Sequence, residues 1–429
     1  MQSTTGPHKS DCKHSARPGL QARPRGLHLG LSLIELMVAM TIGLFMLGAL
    51  SLVYIQAKSS FNYAIQMIRM TEDATLALET ITRQTRRAGF SGCAGATPGT
   101  QHLQSAASTA EIQKFNPFYS NTVFPELLDI YAPHTALYGF SANNSAALQL
   151  IQSASYKAST SSDMLFVRGV SSDSVSIGPQ SYLADTSSAY LMLETDYFNW
   201  AERGASFFLI ADCTASEAFR GEFVASGSST AQGFEVIGTT DAHGENINLS
   251  NPYSPGTMLA PLTSDWFFLA TRKGQTHPSL YMRTFHGSVN SASVSEVVAN
   301  VEAMTFQYGE NTENRTSLSN PCGTGTGNGE ATGSGDGLPT YFTDQYKSQA
   351  ADVRDWSRII SIRIGLIMVS EDDLQTSGGK TIAWLGGTYT PPVTDKRLRR
   401  AYSTTVLLRN RSGLPYAGSC ASTVSNSTP

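Results

Sequence analysis

Charge is what this sequence has least of. Only 15% of its 429 residues are Asp, Glu, Lys or Arg, against a usual share of roughly 25%. The 30 basic and 34 acidic residues nearly cancel, which argues against a nucleic-acid-binding chain, because such domains carry a strong basic excess. Cysteine is scarce as well: there are five, with no CxxC pair, whereas structural zinc usually takes closely spaced pairs. The histidines beyond residue 30, His102, His134, His243, His277 and His286, form no HExxH pattern, and each reads as a solvated or hydrogen-bonded structural residue. No Walker loop or GxSxG elbow occurs, so neither phosphate cradling nor a hydrolase nucleophile is indicated. The sequence therefore reads as a non-enzymatic chain with no metal or cofactor. Wholesale disorder is excluded by the 4 Trp, 17 Tyr and 19 Phe, since disordered chains are poor in aromatics.

Ser, Thr, Gly and Asn fill the place of the missing charge, which suits an extracytoplasmic, β-rich protein. The length allows one large or two ordinary domains. The first 30 residues differ from the rest, with Lys9, Lys13, Arg17, Arg23 and Arg25 against the single acid Asp11. Without them the chain holds 25 basic and 33 acidic residues, a net of −8. Cys12 lies in that stretch, leaving Cys93, Cys213, Cys322 and Cys420. An even number fits two disulfides in an oxidising compartment. Three connectivities are open, and the working pairing is Cys93 with Cys213 and Cys322 with Cys420.

Proline is missing from Pro24 to Pro98, so nothing breaks a helix in between. Residues 31–55 form an apolar run with Glu35 as the sole charge. At about 1.5 Å per residue, a helix of this length reaches about 37 Å, enough to cross a bilayer with tilt. The basic flank places the N-terminus in the cytoplasm and the bulk of the chain outside. A cleaved secretory signal would be shorter in its apolar part and end in small residues, whereas this run ends at Tyr54, Ile55 and Gln56. A carboxylate inside such a run costs roughly 2.5–3.5 kcal/mol at a helix centre, so Glu35 calls for a partner. Cutting after Gly30 would supply one, the new α-amino group of Leu31, in the same copy or a neighbouring one. Beyond the run, Phe61, Ala64, Ile65, Ile68, Ala74, Leu78, Ile81 and Ala88 recur at helical spacing and predict a face lying on a globular domain. Arg83, Arg86 and Arg87 followed by Gly89 suit a helix C-terminus. One helix is expected from Leu31 to about Ala88, apolar in its first half and amphipathic in its second.

Gly30 followed by Leu-Ser-Leu-Ile-Glu-Leu-Met resembles the prepilin signature of type IV pilins and type II secretion pseudopilins. The resemblance implies cutting by prepilin peptidase after Gly30, methylation at Leu31 and docking into a filament guided by Glu35. Leu31 departs from the usual phenylalanine, and the kink many major pilins carry in the apolar run is absent. More specifically, Arg86-Arg87-Ala88-Gly89-Phe90 with Gly92-Cys93 is similar to the junction after the long helix in PilW-family minor pilins. Val301-Glu302-Ala303-Met304 running into Phe306-Gln307-Tyr308-Gly309 is similar to that family too. So are Trp356 with Ile359 to Val369, Arg399-Arg400-Ala401-Tyr402, and Leu408-Arg409-Asn410.

This family is similar to the J-type pseudopilins of type II secretion. The resemblance implies a minor pilin that primes pilus assembly in a tip complex. Its expected partners are other minor pilins, the major pilin, prepilin peptidase, an inner-membrane assembly platform and a tip adhesin, with no nucleic acid. The expected location is the inner membrane of a Gram-negative bacterium with the head in the periplasm, then the pilus surface. The alternatives are a J-like pseudopilin or, from another class, a membrane-anchored periplasmic enzyme or binding protein.

The expected fold class is α+β and pilin-like: a leader at 1–30, a helix over 31–89 spanning the membrane at 31–55, and a β-rich head over 90–429. Short β-branched or aromatic runs predict strands at 164–167, 190–193, 207–211, 234–237, 266–270, 280–285, 304–308, 359–369 and 402–408. In Ser361-Ile362-Arg363-Ile364 the two-residue alternation puts one face inward. The Ser/Ala-rich stretch 141–189, apart from 164–167, and the Gly-rich run 323–337 read as loops. Asn328, Glu330 and Asp336 in the latter could offer oxygen ligands to calcium, but their spacing does not fit the 12-residue EF-hand loop, and a plain loop is the preferred reading. Lys396, Arg397, Arg399 and Arg400 beside Tyr402 read as a solvated turn before the last strand rather than a DNA contact.

Overall fold

A helix that is apolar in its first half and amphipathic in its second needs internal hydrogen bonds, defined ends and a side-chain stripe for its partner. The computed structural model describes residues 32–90, residue 92 and, with interruptions, 136–412. The helix α1 runs over Leu33–Arg87, close to the expected bounds. The chain divides into two compact units that meet at Asn62 and Tyr63. In the first unit the side chains of 33–55 are exposed almost without exception, including Leu44, Phe45 and Tyr54. Two hydroxyls there are satisfied within the helix: Thr41 donates to the Val38 carbonyl and Ser51 to that of Leu47, each at 2.8 Å. Such back-bonding removes the cost of a bare hydroxyl in an apolar medium.

In the second unit α1 buries Gln66, Met70, Ala74, Ala77, Ile81 and Thr85, spaced four apart except for the three between Ala74 and Ala77, along one face. This corrects part of the expected stripe. Ile68 is 57% exposed and Ala64 is exposed, because the head selects a face with alanines at its centre, against which strands can lie close.

The head begins with strands β1 (Leu137–Phe140), β2 (Tyr156–Ala158), β3 (Met164–Val170), β4 (Val175–Ser176), β5 (Tyr182–Leu183) and β6 (Ser188–Met192). It continues with β7 (Phe207–Ala211), β8 (Ser216–Val224), β9 (Gly233–Ile237), β10 (Met258–Arg272), β11 (Ser279–Phe285) and β12 (Ser293–Val298). These form one large sheet ordered β1-β3-β10-β7-β8-β9-β6-β5, with β2, β4 and β11 also on β10 and β12 on β11. The strand β10 is its spine and changes partners along its length. Its first part pairs with β7, as Pro261 with Phe208, and its later part pairs with β11, as Trp266 with Arg283. It is far longer than the expected 266–270, because Pro261 lies where the partners change and so interrupts neither ladder. The stretch read as loop at 141–189 also carries β2, β4 and β5, too short for a periodic signal and formed by pairing with distant strands.

A second sheet takes β13 (Val301–Glu310), β14 (Tyr341–Thr343), β15 (Ile359–Asp373) and β18 (Arg397–Leu407) in the order β14-β13-β15-β18. Between β15 and β18 lies a small hairpin of β16 (Ile382–Trp384) and β17 (Gly387–Tyr389). The alternation expected in β15 holds. Ile362, Ile364, Leu366 and Met368 join the main core with Met304, Phe306 and the helix residues Met70, Ala74, Ala77 and Ile81. On the opposite side, a Cβ placed on Gly365 would meet Leu385 and Trp384 at 2.6 Å, so the hairpin covers that face. Sheet two thus lies between helix and hairpin.

The end of α1 is fixed by three separate elements. Gly89 has φ +69° and supplies the left-handed turn that stops the helix. Its N–H donates to the Arg168 carbonyl of β3 at 3.3 Å. The amide nitrogen of Asn410, in the short helix α2 (Arg409–Ser412), donates to the carbonyls of Ala88 at 3.0 Å and Arg86 at 3.3 Å. Gly169 leaves room for this end, since a Cβ there would sit 2.9 Å from the Arg87 carbonyl oxygen. Beneath it, burial pushes the Asp265 carboxyl up, opposed by its hydrogen bond from Thr284 and by nearby Arg87 and Arg83. Two motifs far apart in sequence, around residues 86–90 and 408–410, therefore meet as one cap. Asn410→Ala should destabilise the detergent-solubilised chain by about 1–2 kcal/mol, and Gly169→Val by about 1–3 kcal/mol through overpacking. Wild-type denaturant midpoints for both would refute this account of the junction.

Candidate functional site

The first candidate is the start of α1. Gly30 and Leu31 lie outside the described residues. Ser32 precedes the helix, and its carbonyl accepts from the N–H groups of Glu35 at 3.0 Å and Leu36 at 3.1 Å. The Glu35 carboxylate reaches back to accept from the Ser32 N–H at 3.4 Å. That is the carboxylate half of a capping box, Ser-x-x-Glu, which satisfies a donor left over at every helix start. A negative charge in the first turn also complements the helix dipole. The signature was present in Ser32 to Glu35, yet reading the sequence for the charge alone passed over it. Glu35 is exposed, so the contact leaves it accessible.

The second candidate is an ionic knot in the head. Asp395 accepts from Arg397 in a fork, at 3.0 Å from Nε and 2.6 Å from the terminal nitrogen. It accepts from Arg399 as well. Arg399, with only 2% of its side chain exposed, also pairs with Glu302 at the start of β13. Arg397 further donates to Nδ1 of His277, in the turn between β10 and β11, at 2.7 Å. Tyr389 of β17 donates to Glu302, and burial together with that carboxylate pushes its phenol up to about 12. The hydrogen bonds from Arg397 and Arg399 hold the Asp395 carboxyl well below the usual range against the opposing effect of burial. His277 is lowered by burial and then by Arg397, with Asp395, Glu302 and Glu371 opposing.

This corrects the reading of residues 396–400 as a solvated turn. Lys396 and Arg400 are exposed, but Arg397 is only partly exposed and Arg399 is buried. A cleft of about 380 Å³ opens beside them, lined also by Lys380 and Thr381. The guanidiniums of Arg397 and Arg399 are already committed to carboxylates and the imidazole, so their chemistry is structural. The alternation of Asp395, Arg397 and Arg399 on one side of a strand was the available signal. His277 is hydrogen-bonded, as expected.

Cys213 is disulfide-bonded, while Cys93, Cys322 and Cys420 lie outside the described residues. No cluster of three or more metal-ligating side chains occurs among the described residues. The Gly-rich run 323–337 and Trp356 also lie outside them.

Breaking a buried pair leaves an uncompensated charge and costs about 3–5 kcal/mol. Glu302→Ala should fall near the low end, because Asp395 still holds Arg399. Acid acts through His277. A histidine whose folded pKa is lowered binds its proton more readily unfolded, so stability declines as pH falls below about 6.5. Asp265, whose carboxyl is pushed up by burial, acts in the opposite sense, so the readout is a difference: between pH 7 and 5 the thermal midpoint of wild type should fall relative to that of His277→Gln. An unchanged difference would remove His277 as a source of acid sensitivity.

No curated protein and no solved structure matches the chain. Residues 266–410 match the family model described as PilW, type IV pilus-assembly protein W. The matched stretch is about a third of the chain and runs from within β10 to α2, taking in the whole second sheet, the ionic knot and Asn410. It supports the PilW family for this chain and, with it, involvement in type IV pilus assembly.

Proposed function

We propose that the chain is a minor pilin, made as a precursor and cut after Gly30, whose helix first anchors it in the inner membrane and then joins the core of a filament. The observation that carries this reading is the exposed apolar helix of 33–55 with Glu35 as its only charge, in one chain with a head that matches PilW. Such a surface is stable only in lipid or against other apolar helices. Once Leu31 is the first residue, its ammonium group lies within a turn of Glu35 and adds a charged partner to a carboxylate that otherwise holds only the Ser32 N–H. In a bundle of like helices, Glu35 and the ammonium of a neighbour pair at one axial level only, which registers the incoming subunit. Methylation of Leu31 would leave that charge in place.

The head, in this reading, contacts other minor pilins and primes assembly at the tip. Prepilin peptidase and the inner-membrane platform act on the helix end, and the major pilin follows behind. Gly30→Leu should abolish the shift to a smaller species on gels, and N-terminal sequencing of wild type should begin at Leu31. Identical migration of the two proteins, with an intact N-terminus in wild type, would overturn the proposal. Glu35→Ala should still be cut but lose most incorporation into sheared filaments, whereas normal incorporation would remove Glu35 from the assembly step.

A further inference from the structure

We infer that Cys213 is bonded to Cys93, so that a covalent staple ties the chain leaving the long helix to the large sheet. Cys213 follows the end of β7 by two residues and is disulfide-bonded. The approach of its partner is visible one residue away. Gly92 has φ +86°, and a Cβ built on it would lie 2.4 Å from the Ala211 side chain and 3.9 Å from the Asp212 carbonyl oxygen. The backbone at Gly92 is thus pressed against the two residues that precede Cys213, and Cys93 is the next residue along. Disulfides join Cα atoms about 4.4–6.8 Å apart, a span that neighbours of two touching residues meet. Glycine is required at 92 because only a residue without a side chain takes this φ so close to the Ala211 side chain.

The staple would complete a series. After α1 ends, Gly89 is held by β3 and Ala88 by α2. Gly92 then packs on the end of β7, and the bond at 93 would fasten what those contacts position. Its formation joins two Sγ atoms and removes two protons and two electrons. These pass to a disulfide-bearing oxidant, which leaves as a dithiol. The inference does not depend on the pilin reading, since it needs only an oxidising compartment.

Tryptic digestion of the unreduced, alkylated full chain tests the pairing, because each cysteine falls in a different peptide. The expected product is a linked species of residues 88–114 and 204–220 that separates on reduction. Linkage of 204–220 to 316–347, to 412–429 or to the leader peptide carrying Cys12 would overturn the pairing, as would a free Cys213 thiol. Alkylation of Cys213→Ser offers a second readout. It should label Cys93 and no other additional cysteine, and labelling of Cys322 or Cys420 instead would also overturn it. Cys93→Ser, Cys213→Ser and the double variant should share one lowered melting temperature, whereas additive losses would speak for two separate roles.

Discussion

Everything in the head is arranged around a strip of helix with little side-chain bulk. Ala74 and Ala77 sit at the middle of the buried face of α1, with Met70 and Ile81 on either side. Alanine lets strands approach the helical backbone closely, while the larger flanking residues fill the grooves that the approach leaves. The core that forms there draws on both sheets, with Phe166 and Phe267 from one and Phe306, Ile364 and Leu366 from the other. Neither sheet could bury these side chains alone. The helix is the shared wall, and the placement of β3, β10, β13 and β15 follows from access to it.

The helix end imposes a second condition, because its last carbonyls must find donors. The Asn410 amide meets that condition for Arg86 and Ala88, while the glycine turn ends the helix and sends the N–H of Gly89 to the Arg168 carbonyl of β3. The knot around Asp395 does similar work at another place. It joins the β10–β11 turn to the starts of β13 and β18 and to the small hairpin, using charges that would be costly to bury singly. Both features lie in the segment that matches PilW, or reach it through Asn410. The matched stretch thus contains residues that hold the head together.

The sequence showed the helix plainly, because nothing between Pro24 and Pro98 contradicts it and its end carries arginines and a glycine. Strands with dense β-branched or aromatic content, such as β7 and β15, were equally legible. What local pattern could not show was anything decided by a distant partner. The strand β10 extends through a proline because its neighbours exchange there. Ile68 continues the apolar spacing of Phe61, Ala64 and Ile65 yet stays outside, since the buried face turns instead through Met70 and the alanines. Arg397 and Arg399 looked like a solvated basic run, although Asp395 beside them holds both, and the pairing of Arg399 with Glu302, nearly a hundred residues earlier in the chain, is invisible to local pattern. At the helix start the local signature from Ser32 to Glu35 was complete, and the weight given to charge obscured it.

The cap made by Asn410 has a bearing on timing. Residues 86–88 emerge early in synthesis, whereas the amide that satisfies their carbonyls lies 322–324 positions later. Contacts of such separation form late and slowly, because the loop between them must close first. The cap on the helix end therefore cannot close until residue 410 has been made. Until then the carbonyls of Arg86 and Ala88 lack that donor. That delay separates formation of the helix from completion of the head, so that a finished surface is offered to any partner only once residue 410 is in place.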